Sequence, residues 1–249
     1  AIWANLKNAP ILPTTNTSFH TGLASYSSKL ASFSQIQSIV SQREYTDGRY
    51  TLLLAFLDLV QALAQDIQRS WWVNDSAQRQ YQLEVLNTCL HYIMAEVFPT
   101  YSSWRYKKIS ERYLIGIKVL SLFIYIVSNL KEPATTALHA KLSLNGLGER
   151  ILDNFLYSGV ACHINPLVQV ICDGARTAST YYSLGHPKEA ERAEKLTEMT
   201  FVFVKILLQH RLEQIEQGTS LPDTSLERLL LERTPNSTSS DFLLRIAKH

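Results

Sequence analysis

Apolar residues recur three and four apart in one stretch of this chain after another, and nowhere do four to eight residues alternate strictly in the manner of a half-buried strand. That feature restricts the chain to helices packed on helices. Leu53, Phe56, Leu57, Val60 and Leu63 share one face of a segment from Tyr50 to Gln68, with Asp58, Gln61 and Gln65 opposite. Ser70 to Ser76 is rich in turn formers. Beyond it Leu83, Leu86, Leu90, Ile93 and Val97 repeat the spacing up to Pro99, which cannot continue a helix. From Ser110 to Leu130 apolar residues nearly encircle the axis and leave Lys118, Ser121, Tyr125 and Ser128 as a thin polar stripe, so this helix is expected to be covered on several sides.

Lys131-Glu132-Pro133 ends that helix, and a short helix is expected over Ala134 to Leu144. Asn145-Gly146 breaks it, and Glu149 to Tyr157 forms another short amphipathic piece. Gly159 and Pro166 bracket a connection, after which Leu167, Val170, Ile171, Gly174 and Ala178 line one face of a helix running to about Tyr182. Gly185-His186-Pro187 stops it, and Pro187 takes the first position of a long helix reaching toward Gln217. Gly218 to Pro222 follows as a break. A polar loop at 234–240 then separates two apolar pieces, Leu226 to Leu231 and Phe242 to Ile246.

The reading is all-α, with long and short helices joined by brief loops and packed as antiparallel pairs. A solenoid buries each pair against the next, whereas a closed bundle needs one shared core. The start at Ala1 rather than Met and the apolar tail favour the solenoid, so residues 1–249 are expected to form one HEAT/armadillo-like segment of a much larger protein. No self-similar motif recurs at a fixed period, so the repeat is degenerate. Leu53, Phe56, Leu90, Ile93, Leu120, Phe123, Ile171 and Phe203 are expected to face inward.

Composition removes several function classes. The chain is 46% hydrophobic and 18% charged, which supplies a core and excludes disorder. Its 24 Lys and Arg against 22 Asp and Glu leave a net charge of +2, too little basic excess for phosphate-backbone binding, so nucleic acid is not an expected partner. The most apolar window, Leu114 to Val127, is interrupted by Lys118 and Ser121 and falls short of the roughly 20 residues that cross a bilayer. Ala1 to Asn8 shows no signal-peptide pattern. Cys89, Cys162 and Cys172 form an odd set that reads as free buried thiols in a reducing compartment, and the sequons at Asn16, Asn74 and Asn236 are read as chance patterns.

Chemistry-bearing patterns are sparse. Cys162-His163 and Cys172 are not spaced as zinc ligands or as a thiol with its base, so no metal is expected. Gly146-Leu147-Gly148 lacks a third glycine and reads as a helix-entry turn. The seven His are scattered, no Ser stands in a G-x-S-x-G elbow, and Glu189 with Glu191 or Glu213 with Glu216 read as solvated helix faces. No catalytic residue, cofactor or small-molecule substrate is expected. Basic and aromatic residues interleave once, where Arg105, Lys107, Lys108 and Arg112 accompany Trp104, Tyr106 and Tyr113. Such a cluster reads either as a stacking platform for a single strand or as a loop whose rings anchor it between helices; the low net charge favours the loop.

Within that stretch, Ser103-Trp104-Arg105-Tyr106 followed by Glu111-Arg112-Tyr113-Leu114-Ile115-Gly116-Ile117-Lys118-Val119-Leu120-Ser121-Leu122-Phe123 resembles a segment of the large inner-ring scaffold nucleoporins. This is the group of nucleoporin 188 and its paralogues, and the likeness leans to the nucleoporin 188 branch. A second piece, Glu44-Tyr45-Thr46-Asp47-Gly48-Arg49-Tyr50 with Leu54-Ala55-Phe56-Leu57-Asp58-Leu59-Val60, is similar to the same family. Trp104, Arg105, Tyr106 and Gly116 carry most of it. A glycine inside a strong helix costs roughly 1 kcal/mol and is best explained by a neighbour packed on the backbone. The resemblance implies a helical superhelix of the nuclear pore that takes up short segments of linker nucleoporins and is no enzyme. A karyopherin-type transport receptor, also a HEAT solenoid, is the second reading, against which the pI near 8.4 speaks. A helical enzyme with a pocket is the third.

Overall fold

The computed structural model describes residues 47–69, 76–129, 144–157 and 164–218. The expected helix over Ala134 to Leu144, but for Leu144 itself, the loop at 234–240, the pieces Leu226 to Leu231 and Phe242 to Ile246, Cys162, His163 and the asparagines of the three sequons lie outside them.

The first amphipathic segment forms α1 (Thr51–Arg69), whose Leu53, Phe56, Leu57, Val60, Ala64 and Ile67 are buried. The second forms α2 (Ser76–Tyr92), prolonged by a wider π turn at Ile93–Val97 in which the Phe98 amide donates to the Ile93 carbonyl at 2.8 Å. A 3₁₀ turn, Tyr101–Ser103, leads through an extended loop into α3 (Ile109–Asn129). Then come α4 (Leu144–Tyr157), α5 (Ile164–Ser183) and α6 (Pro187–Glu216). No strand occurs among the described residues.

Two boundaries differ from the sequence reading. Gly146-Leu147-Gly148 lies inside the first turns of α4 rather than ahead of it, because Leu147, Ile151 and Leu152 bury against the core and that packing outweighs the low helix propensity of glycine. Pro166 sits in the first turn of α5, where its missing amide has no helical acceptor to lose, so the helix starts before it. Pro187 opens α6 as expected. The turn ahead of it closes with the amides of Gly185 and His186 on the carbonyls of Tyr182 and Tyr181, at 3.1 and 2.9 Å, which makes α5 and α6 an antiparallel hairpin.

The helices stand in a row, α2 on α1, α1 on α3, α3 on α6 and α6 on α5, with α4 laid across α3 and α6. The architecture is all-α and solenoid-like. A continuous core runs along the row and includes seven of the eight residues expected to face inward; the eighth, Ile171, is buried in α5. At its centre Phe98, Phe123, Phe155 and Phe203 come from four different elements and meet edge-on or tilted, with ring centroids between 4.9 and 5.9 Å apart. The stripe of α3 is partly covered by neighbours. Lys118 pairs with Asp58 of α1, and the Ser121 hydroxyl lies 3.7 Å from the Met199 sulfur of α6.

Candidate functional site

The basic and aromatic loop folds onto the segment that enters α1. Tyr50, buried just ahead of that helix, stacks on Trp104 at 5.0 Å and 21° and tilts against Tyr106 at 4.9 Å. Its hydroxyl donates to the Arg105 carbonyl at 3.0 Å, and its amide donates to Oε2 of Glu111 at 2.9 Å. Glu111 is a buried carboxylate in the first turn of α3, where the free amides of the helix end favour negative charge. The Tyr106 hydroxyl donates to the Tyr101 carbonyl at 2.6 Å, and Trp104 Nε1 donates to the Thr100 hydroxyl at 3.0 Å.

Gly48 completes the clasp. Its φ of 64° is left-handed, a Cβ there would stand 3.2 Å from the Arg105 carbonyl oxygen, and its own carbonyl accepts from the Lys107 amide at 2.8 Å. The two separate stretches that carry the family resemblance therefore meet in space. The face of Trp104 is spent on Tyr50, and the cluster is an anchored loop. Arg105, Lys107 and Lys108 point outward from it.

Gly116 sits on the buried side of α3. A Cβ there would come within 2.8 Å of Leu196 Cδ1 and 2.9 Å of the Tyr101 hydroxyl, so an α6 side chain and an aromatic ring both rest on its backbone. Tyr101 thus links the clasp to the crossing of α3 and α6. Beyond it a groove of about 470 Å³ opens between the start of α3, α5 and α6. Tyr101, Leu196 and Thr197 line it together with Arg112, Asp173, Arg176 and Leu184. Burial pushes the Tyr101 hydroxyl up to about 12 and raises those of Tyr106 and Tyr113 as well, so all three stay protonated.

The sequence reading picked out Trp104, Arg105, Tyr106 and Gly116 but missed Tyr50 as the ring between the first and third, and Tyr101 as the group over the fourth. It missed the groove entirely, because Arg112 and Arg176 lie more than sixty residues apart in the chain and share no linear pattern. Cys89 is a free buried thiol, pushed by burial up to about 12 and thus a poor nucleophile. Among the described residues no group of His, Cys, Asp and Glu is placed to hold a metal ion, and no helix is long and apolar enough to cross a membrane.

The family model for nucleoporin Nup188, N-terminal subdomain III, matches residues 1–246. The chain belongs to the Nup188 family. Nucleoporin nup184 of Schizosaccharomyces pombe is 24% identical over 207 residues, covering 81% of this chain and 13% of that protein. Nucleoporin NUP188 of Mus musculus is 27% identical over 139 residues, covering 56% of this chain and 7% of that protein. The chain therefore spans only a small part of the curated relatives it matches. No solved structure matches it. Membership in the Nup188 family makes it a nucleoporin segment, a component of the nuclear pore complex at the nuclear envelope.

Proposed function

We propose that this chain is one solenoid segment of a larger inner-ring scaffold protein, that it catalyses no reaction, and that it supports nucleocytoplasmic transport by holding short segments of linker nucleoporins. The observation that carries the reading is the family match over residues 1–246. The groove beside Tyr101 supports the partner class. Leu184, 64% exposed at its lip, and the buried Leu196 offer apolar anchorage for a short amphipathic peptide, and Arg112 and Arg176 outnumber Asp173 and favour an acidic residue in it.

The test is affinity capture from cells under gentle salt with the intact protein, repeated with this segment deleted and with Leu184→Asp combined with Arg176→Glu. Other nucleoporins recovered with the intact protein and lost in both variants support the scaffold reading and the groove. Loss on deletion alone moves the partner site elsewhere in the segment. Recovery of soluble cargo that a GTP-bound small GTPase releases favours the transport-receptor reading instead, and recovery of neither removes the basis for both.

A further inference from the structure

A row of cations starts in the groove and runs out over the clasp. Arg112 and Arg176 line the groove. Lys108 stands immediately ahead of α3, its carbonyl accepting the Glu111 amide at 3.0 Å, so Arg112 follows about one helical turn beyond it on the same side. Lys107 lies against the segment that enters α1: its amide donates to the Gly48 carbonyl, and its Cγ is 3.6 Å from where a Cβ on Gly48 would stand. Arg49 follows Gly48 in the chain, and Arg105, whose carbonyl accepts the Tyr50 hydroxyl, completes the row. Burial raises the pKa of Tyr106 in the clasp and of Tyr101 and Tyr113 in the groove wall, and the Arg112 charge opposes the rise at all three, which sets Arg112 between the two places.

Little in the described fold neutralises this row. Among the described residues none of the six cations forms an ion pair. The acidic side chains over residues 47–50, the loop and the groove lining are Asp47 and Asp173, so six cations meet two exposed carboxylates where the whole chain sets 24 against 22. Glu111 is buried, and its Oε2 accepts the Tyr50 amide. Like charges held together on a fixed backbone build a positive potential that attracts an anionic partner. Shape selects the kind of anion. The row begins in a concave site with Leu184 at its lip and Leu196 in its wall, which a flat bilayer does not enter, and the face of Trp104 that could stack a base is covered by Tyr50. An extended peptide meets both conditions. Resting on the groove as the peptide site, we propose that the segment it holds is acidic, with a run of Asp and Glu that leaves the groove past Arg112 and crosses Lys108, Lys107, Arg105 and Arg49.

The test is fluorescence anisotropy on the full 249-residue chain with two synthetic peptides. Both begin with a pair of leucines spaced three apart; one continues with a run of glutamates and the other with glutamines. At low salt the glutamate peptide should bind at least about ten-fold more tightly and lose most of that margin at about 0.5 M salt. Lys107→Glu combined with Lys108→Glu should weaken the glutamate peptide about ten-fold and leave the glutamine peptide unaffected. Both lysines are exposed, so this variant should melt with the wild type, and Lys107→Gln combined with Lys108→Gln should give a smaller loss in the same direction. Equal binding of the two peptides, with both lost in Leu184→Asp, would leave the groove as a peptide site and overturn the acidic run. An unchanged glutamate peptide in the Lys107 and Lys108 variants would overturn its path over the clasp, and binding of neither peptide to the wild type would overturn groove and run together. Tighter binding of phosphatidylserine vesicles or of oligouridine, lost in the same variants, would assign the row to a membrane or to single-stranded RNA and overturn the peptide partner.

Discussion

Tyr50 is the residue on which the meeting of the loop and the entry to α1 depends, and its replacement separates packing from hydrogen bonding. Only 2% of it is exposed, and its ring lies between Trp104 and Tyr106 at 5.0 and 4.9 Å. Truncating a buried aromatic to alanine costs about 3–5 kcal/mol, of which two ring pairs at about 0.5–1.5 kcal/mol each form a substantial share. Tyr50→Phe keeps both ring contacts and loses the hydroxyl bond to the Arg105 carbonyl, a net loss of about 1 kcal/mol. At about 2–4 °C per kcal/mol for a chain of this size, the alanine variant should melt about 6–20 °C lower and the phenylalanine variant about 2–4 °C lower. Urea titration followed by far-ultraviolet circular dichroism gives the free energies, and amide exchange should show 100–108 released in the alanine variant alone. Equal losses in the two variants would show that the hydroxyl, not the stack, holds the loop; a loss under about 1 kcal/mol in Tyr50→Ala would show that the clasp contributes nothing to the fold.

Other substitutions test other links in the same way. Gly116→Val places a branched side chain where one methyl already comes within 2.8 Å of Leu196 and 2.9 Å of Tyr101, so overpacking of about 1–3 kcal/mol is expected in thermal melts, against little change for Gly185→Ala beyond its backbone strain. Phe155→Ala empties the middle of the phenylalanine cluster and should cost about 3–5 kcal/mol by urea titration. Lys118→Ala breaks a pair whose carboxylate partner is 63% exposed and should change stability by less than about 1 kcal/mol, screened further by salt. Burial lifts Cys89 from its ordinary 9.0 to about 12, so the folded state holds that proton more tightly than the unfolded chain; the contribution of Cys89 to stability should be constant below pH 9 and fall as pH rises from 9 toward 12, a fall that a Cys89→Ala variant should lessen, with Cys89 inert to maleimide until denaturant is added.

Helix by helix, the extent of what the sequence carries can be traced to the range of the forces involved. The faces of α1, α2 and α5 were legible because amphipathic periodicity is a local pattern that burial of one side imposes on every turn. Pro187, Gly185 and Pro99 marked ends because their backbone limits act on the spot. The start of α4 was not legible: Gly146 and Gly148 argue locally against a helix, and only the burial of Leu147 against residues of other helices reverses that preference.

The sequence by itself determined the helical class, the inward faces and, through Trp104, Arg105, Tyr106 and Gly116, the family likeness. What only the tertiary structure decided is who meets whom. Tyr50 finds Trp104 and Tyr106 across more than fifty residues, Leu196 and Tyr101 converge on Gly116, and Arg112 faces Arg176 and Asp173 across a groove built from three helices. The same holds for Phe201, Leu208, Leu212 and Ile215 of α6, which are exposed although they look like core in the sequence, and which differ from Phe203 and Leu207 only in where the neighbouring helices stand. Periodicity is set within a few turns of one helix, whereas these encounters depend on the order and crossing of the whole row, which no short stretch of sequence encodes.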